Sequence, residues 1–147
     1  MVKRVLRLHR RTAGRQASRL LLDTHILIHV VSGTSDLVPH RHQQVLADHR
    51  STLKVSVVSL WEIAIKMRLG KLGLPIPLVE VHEFFTAEGF GLLPITARHV
   101  MAEVDPWPPT RDPFDRLLLA QAQVEGLRLM TLDRALVDHP LAWRAEV

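Results

Sequence analysis

Four acidic residues stand at the same kind of place along the chain. Asp23 ends the apolar run "RLLLD", and Glu62 lies one turn into the helical pattern after "VSVVS". Asp115 heads "DRLLLAQAQVEG", and Asp133 follows "LRLMT" by two residues. Carboxylates gathered together repel one another unless a cation neutralises them. The cation suited to an all-oxygen set is a hard one. Mg²⁺ or Mn²⁺ takes one or two carboxylates directly and keeps several waters. One or two such ions can activate water for in-line attack on a phosphodiester. Bound metal would also reverse the repulsion between an acidic pocket and nucleic acid, with Arg111, Arg116 and Lys66 as candidate contacts to the backbone.

Each acid also has a plainer reading. Asp23 can cap the next helix with Thr24 beside it, and Asp133 can cap a turn. Ser59-x-x-Glu62 has the form of a capping box, and Glu62 can pair with Lys66 at i+4. In "RDPFDRLLLAQAQVEG", Asp112 fits the N-cap, Pro113 N1 and Asp115 N3. One such acid carries little weight, but four at equivalent positions carry more. Competing motifs are weak. "LGKLGLP" lacks the Gly-Lys-Ser/Thr ending of a phosphate loop. His25 and His29 have i, i+4 spacing but no third zinc ligand, and Ser59 has no triad companion. Trp61, Trp107 and Trp143 could stack bases, although packing is the commoner role.

The elements that must position these acids alternate. "RLLLD", "LKVSVVS", "GLLPI" and "LRLMT" read as strands. "THILIHVVSG", "SDLVPHRHQQVLADHR", "SLWEIAIKMRLG", "LVEVHEFFTAEGF", "TARHVMAEV", Pro113–Glu125 and "LDRALVDH" read as helices. "DPWPPTRDP" holds four prolines in nine residues and must be a stiff connector. The alternation predicts an α/β domain around a mostly parallel sheet, and such sheets bind ligands beyond strand C-termini.

At 147 residues, with 47% apolar composition, the chain suits one folded domain. Its net charge of +4 is uneven: Met1–Arg19 carries seven of the 19 basic residues and no acid, leaving 12 against 15 in the remainder. Residues 1–18 are therefore expected to be a basic, flexible arm and 19–147 the folded domain. The absence of cysteine excludes disulfides and thiolate metal sites and fits a reducing, cytoplasmic setting. No apolar run reaches membrane-spanning length.

With these acids in place, the chain resembles the PIN-domain ribonucleases, and within them the VapC-type toxins of bacterial toxin–antitoxin pairs. The matching phrases are "LLLDTHILI", "VSVVSLWEIAIKMRLGKLGLP", "LLPIT" and "DPFDRLLLAQAQVEGLRLMTLDRAL". The resemblance implies a three-layer α/β/α sandwich and an Mg²⁺- or Mn²⁺-dependent endoribonuclease. It also implies a homodimer neutralised by a cognate antitoxin over the active-site groove. Carried over, Asp23, Glu62, Asp115 and Asp133 are the catalytic acids. Asp23 and Asp115 would be metal ligands, joined by Glu62 and Asp133, while Thr24, Asp112 and Thr131 would support them. Two departures stand out: "IHVV" occupies a place often aromatic in this subgroup, and Arg111 one often held by His. The rival readings are an inactive antitoxin- or nucleic-acid-binding module and a DNA-directed nuclease.

Overall fold

A computed structural model describes residues 17–145 of the chain. Most of the basic arm expected over residues 1–18 therefore lies outside the described residues. Four strands form one wholly parallel sheet: β1 (Arg19–Leu22), β2 (Thr52–Ser56), β3 (Gly91–Leu93) and β4 (Arg128–Met130). Their spatial order is β3-β2-β1-β4. A parallel sheet covered on both faces needs apolar side chains on both. The run Leu20, Leu21, Leu22 meets that need: Leu20 and Leu22 join one core and Leu21 the other.

The helices make the outer layers. Between β1 and β2 run α1 (Thr24–Ser32) and α2 (His40–Ala47); between β2 and β3 run α3 (Val57–Arg68) and α4 (Val81–Ala87). The return to β4 carries α5 (Ala97–Met101) and α6 (Pro113–Glu125). Ile26, Leu27, Val30, Leu46 and Phe85 close one face with Val55 and Met130. Leu118, Leu119 and Ala122 of α6 close the other with Leu93 and Leu129. The expected α/β/α sandwich is thus the observed fold. After β1 the chain first builds outward through β2 and β3, then returns to place β4 on the opposite side of β1. That reversal opens a crevice beyond the C-termini of β1 and β4, where sheets of this kind bind ligands.

Several local expectations need correction. β2 ends at Ser56, and the β-branched pair Val57-Val58 opens α3 instead of continuing the strand. Ser56 is the N-cap, its hydroxyl accepting from the Val58 amide at 3.0 Å, so Ser59 lies inside the helix and forms no capping box with Glu62. Pro39 breaks the stretch after Gly33 into a short 3₁₀ turn and α2, because proline cannot supply the amide a continuous helix needs. "LDRALVDH" forms turns and no helix, with Leu136 and Val137 amides both donating to the Asp133 carbonyl and Pro140 following. α5 stops at Met101, short of the predicted extent.

A buried polar network fixes α6 against the sheet. Ser56 Oγ donates to Gln121 Oε1, and Gln121 Nε2 donates to the Pro94 carbonyl at 3.2 Å. Gln121 Nε2 also lies 3.3 Å from His99 Nδ1, which accepts from the Thr96 amide at 3.0 Å. Because Nδ1 receives these donors, the ring proton belongs on Nε2, which faces Glu125 at 2.8 Å. Replacing Gln121 strands the buried Ser56 and His99 partners. Gln121→Leu should therefore cost about 2–3 kcal/mol, read as a lower urea midpoint with an unchanged slope; a change under about 0.5 kcal/mol would show that the network does not hold α6.

Candidate active site

The crevice beyond β1 and β4 gathers the acids. Asp23 follows β1 directly, its amide donating to the Met130 carbonyl of β4 at 2.9 Å. Its side chain is buried. Oδ1 accepts from the Thr24 amide at 2.7 Å, capping α1, and Oδ2 accepts from the Thr131 hydroxyl. Thr131 in turn accepts from the Asp133 amide at 3.1 Å, so one hydroxyl orients both the first acid and the turn carrying the last. Burial pushes the Asp23 carboxyl above its ordinary value despite these hydrogen bonds, and Glu62 adds to the rise.

Glu62, also buried, is held at both oxygens. Thr24 Oγ1 donates to Oε1 at 2.8 Å, and Lys66 Nζ meets Oε2 at 2.7 Å. Thr24 also lies 2.9 Å from Ser59 Oγ. Having one proton to give to Glu62, the threonine must accept from the serine. Ser59 is thus part of the site's support, a role its sequence position did not signal. Lys66 makes the i+4 ion pair with Glu62 that its spacing allows.

Asp112 takes the N-cap position expected of it. Asp112 Oδ1 accepts from the Phe114 amide at 2.8 Å and the Asp115 amide at 3.4 Å, which makes it the N-cap of α6. Asp115, one turn in, has among the described residues only a long contact from the Thr110 hydroxyl at 3.5 Å. Its carboxyl is pushed up to about 7, first by burial and then by the negative charges of Asp112, Asp23, Asp133 and Glu62. Those four influences place the other predicted acids within electrostatic reach of Asp115. Asp133, half-buried, uses Oδ1 to accept from the Ala135 amide at 2.8 Å. Arg111 is exposed, and Arg116 is tied to the connector, its Nε donating to the Thr110 carbonyl at 2.7 Å.

A family model described as PIN domain matches residues 20–140. The chain belongs to the PIN domain family. No curated protein matches the chain. Membership supports a nuclease-like fold in general, and the crevice of this PIN domain holds the oxygen donors that a hard divalent cation takes. The fit is one of chemistry: all donors are carboxylates, and the Asp115 carboxyl is raised by burial and, after it, by the charges of the others. Among the described residues, however, no three His, Asp or Glu side chains converge as a ligand set. No helix among them is long and apolar enough to cross a membrane.

The raised Asp115 carboxyl has a consequence for stability. A carboxyl whose folded value lies above its unfolded value favours folding while protonated, and that contribution fades as pH rises from about 4 towards about 7. In chelator, Asp115→Asn should therefore melt above the parent protein at pH 8. The gap should be on the order of 1 kcal/mol after allowance for half-exposure, or roughly 2–4 °C, and should narrow at pH 5. Parallel melting curves at both pH values would contradict the electrostatic account.

Proposed function

We propose that this PIN domain is a metal-dependent endoribonuclease, the VapC-type toxin of a toxin–antitoxin pair. The observation that carries the reading is the linkage of the acids: Thr24 joins Asp23 to Glu62, Thr131 joins Asp23 to the turn of Asp133, and Asp115 at the head of α6 feels all three charges after the larger effect of burial. In this reading Asp23 and Asp115 hold Mg²⁺ or Mn²⁺, with Glu62 and Asp133 completing the set. The ion would supply Lewis acidity to the scissile phosphate and the attacking water. The chain's own residues do the positioning. Thr131 and the Thr24 amide hold the Asp23 carboxylate, and Thr24 and Lys66 hold Glu62. Asp133 commits Oδ1 to a backbone amide, so Oδ2 is the oxygen that would orient the attacking water. Arg111 and Arg116 would meet the RNA backbone. The same reading brings a cognate antitoxin over the groove, a homodimer and a cytoplasmic setting.

A binding module without catalysis is the second reading, favoured by the lack of a converged three-residue ligand set. Purified, antitoxin-free protein should cleave structured RNA in Mg²⁺ or Mn²⁺ and not in chelator. Glu62→Gln and Asp115→Asn should each lower the rate by about 100-fold or more while leaving the circular dichroism spectrum intact. Faster cleavage of DNA would reassign the substrate. Absence of metal-dependent cleavage of any nucleic acid would leave the binding module.

A further inference from the structure

Trp61 and Phe114 form an aromatic ledge that the acidic site does not use. Trp61 immediately precedes Glu62 on α3, and Phe114 immediately precedes Asp115 on α6. Their rings meet edge to face with centroids 5.5 Å apart, so the seam between α3 and α6 carries the acids and the aromatics together. Trp61 is 57% exposed, an unusual state for an indole in a domain with so many buried leucines. A second aromatic stands on the connector into α6: Trp107, 69% exposed, with the Arg116 guanidinium 4.7 Å from its ring centroid. Arg116 is steadied by its Nε bond to the Thr110 carbonyl, which leaves its terminal amino groups for another acceptor.

We infer that the Trp61–Phe114 ledge stacks an unpaired base of single-stranded RNA whose backbone enters the neighbouring acidic crevice. The inference rests on the nuclease reading and adds to it the form of the substrate. The neighbourhood favours a nucleic acid over an apolar peptide. Glu62 and Asp115 directly follow the two aromatics in sequence, and Arg116, next after Asp115, is stacked on the Trp107 ring. A nucleobase offers a planar face for the indole and a phosphate for Arg116, whereas an aliphatic side chain would leave the cation and the carboxylates without partners. Stacking on an aromatic ring tolerates any base, so the ledge selects unpaired strand and not sequence.

The test uses the full chain in the Glu62→Gln background, in Mg²⁺, with binding read by anisotropy of a labelled RNA decamer. A ribose-phosphate decamer without bases is the comparison strand. Trp61→Ala should weaken binding of the base-bearing strand by roughly 5- to 100-fold. It should leave the baseless strand unchanged, and Trp61→Phe should restore most of the loss. Matching melting curves confirm that the variants are folded. Equal affinities of parent and Trp61→Ala protein for the base-bearing strand would overturn the inference and mark the ledge as a protein-binding surface. Equal losses on both strands, or no RNA binding by the parent, would overturn it as well. Cleavage by the unsubstituted protein is scored apart: cleavage with no base dependence at Trp61 removes the ledge alone, and base-dependent binding without cleavage removes the nuclease reading alone.

Discussion

Mutual repulsion among carboxylates is the constraint around which this molecule is arranged. Asp23, Glu62, Asp115 and Asp133 share one crevice, and Asp23 and Glu62 are buried there. Buried charge is tolerated only when its oxygens are hydrogen-bonded or paired. Asp23 meets that condition through Thr24 and Thr131, and Glu62 through Thr24 and Lys66. Among the described residues Asp115 has only the distant Thr110 hydroxyl, and burial first and the neighbouring acids second raise its proton affinity. Its place near the N-terminus of α6, where the helix dipole favours negative charge, offsets part of that cost.

The fold exists to bring these groups together from residues far apart in the chain. Strand order β3-β2-β1-β4 puts the ends of β1 and β4 side by side, which is why Thr131 can reach Asp23. α3 follows β2 without a loop and delivers Thr24's partner Glu62 to the same edge. α6 needs a separate anchor because a proline-rich connector leads into it. The chain of Ser56, Gln121, His99 and Glu125 supplies that anchor on the buried side, and Asp112 caps the end nearest the acids. Small errors in seating α6 would move Asp115 relative to Asp23, so the network and the site are mechanically linked.

Much of this was legible in the residues themselves. Buried strands of a parallel sheet must be continuously apolar, so "RLLL" and "LRLM" announce their role, and acids just past them fall on one edge. The caps at Asp23 and Asp112 were equally plain, because the side chains that satisfy a helix start are few. What stayed hidden depended on partners distant in sequence. Val57-Val58 has strand composition, yet Ser56 and the packing of Val58 against α6-side leucines turn it into helix. Ser59 resembled a cap and proved to be a prop for Thr24. Lys66 pairs with Glu62, a choice that i, i+4 spacing permits without requiring. The turn after Asp133 has helical spacing but is too short to nucleate a helix before Pro140 stops it.

The state of Asp115 tests the account most directly. Carboxyl carbon shifts of Asp115, followed by NMR across pH in the metal-free protein, should report a midpoint near 7. Saturating Mg²⁺ should return that midpoint to the ordinary carboxylate range, because a cation favours the ionised form. A metal-free midpoint already in the ordinary range, unmoved by Mg²⁺, would contradict the proposal that these acids form one cation site.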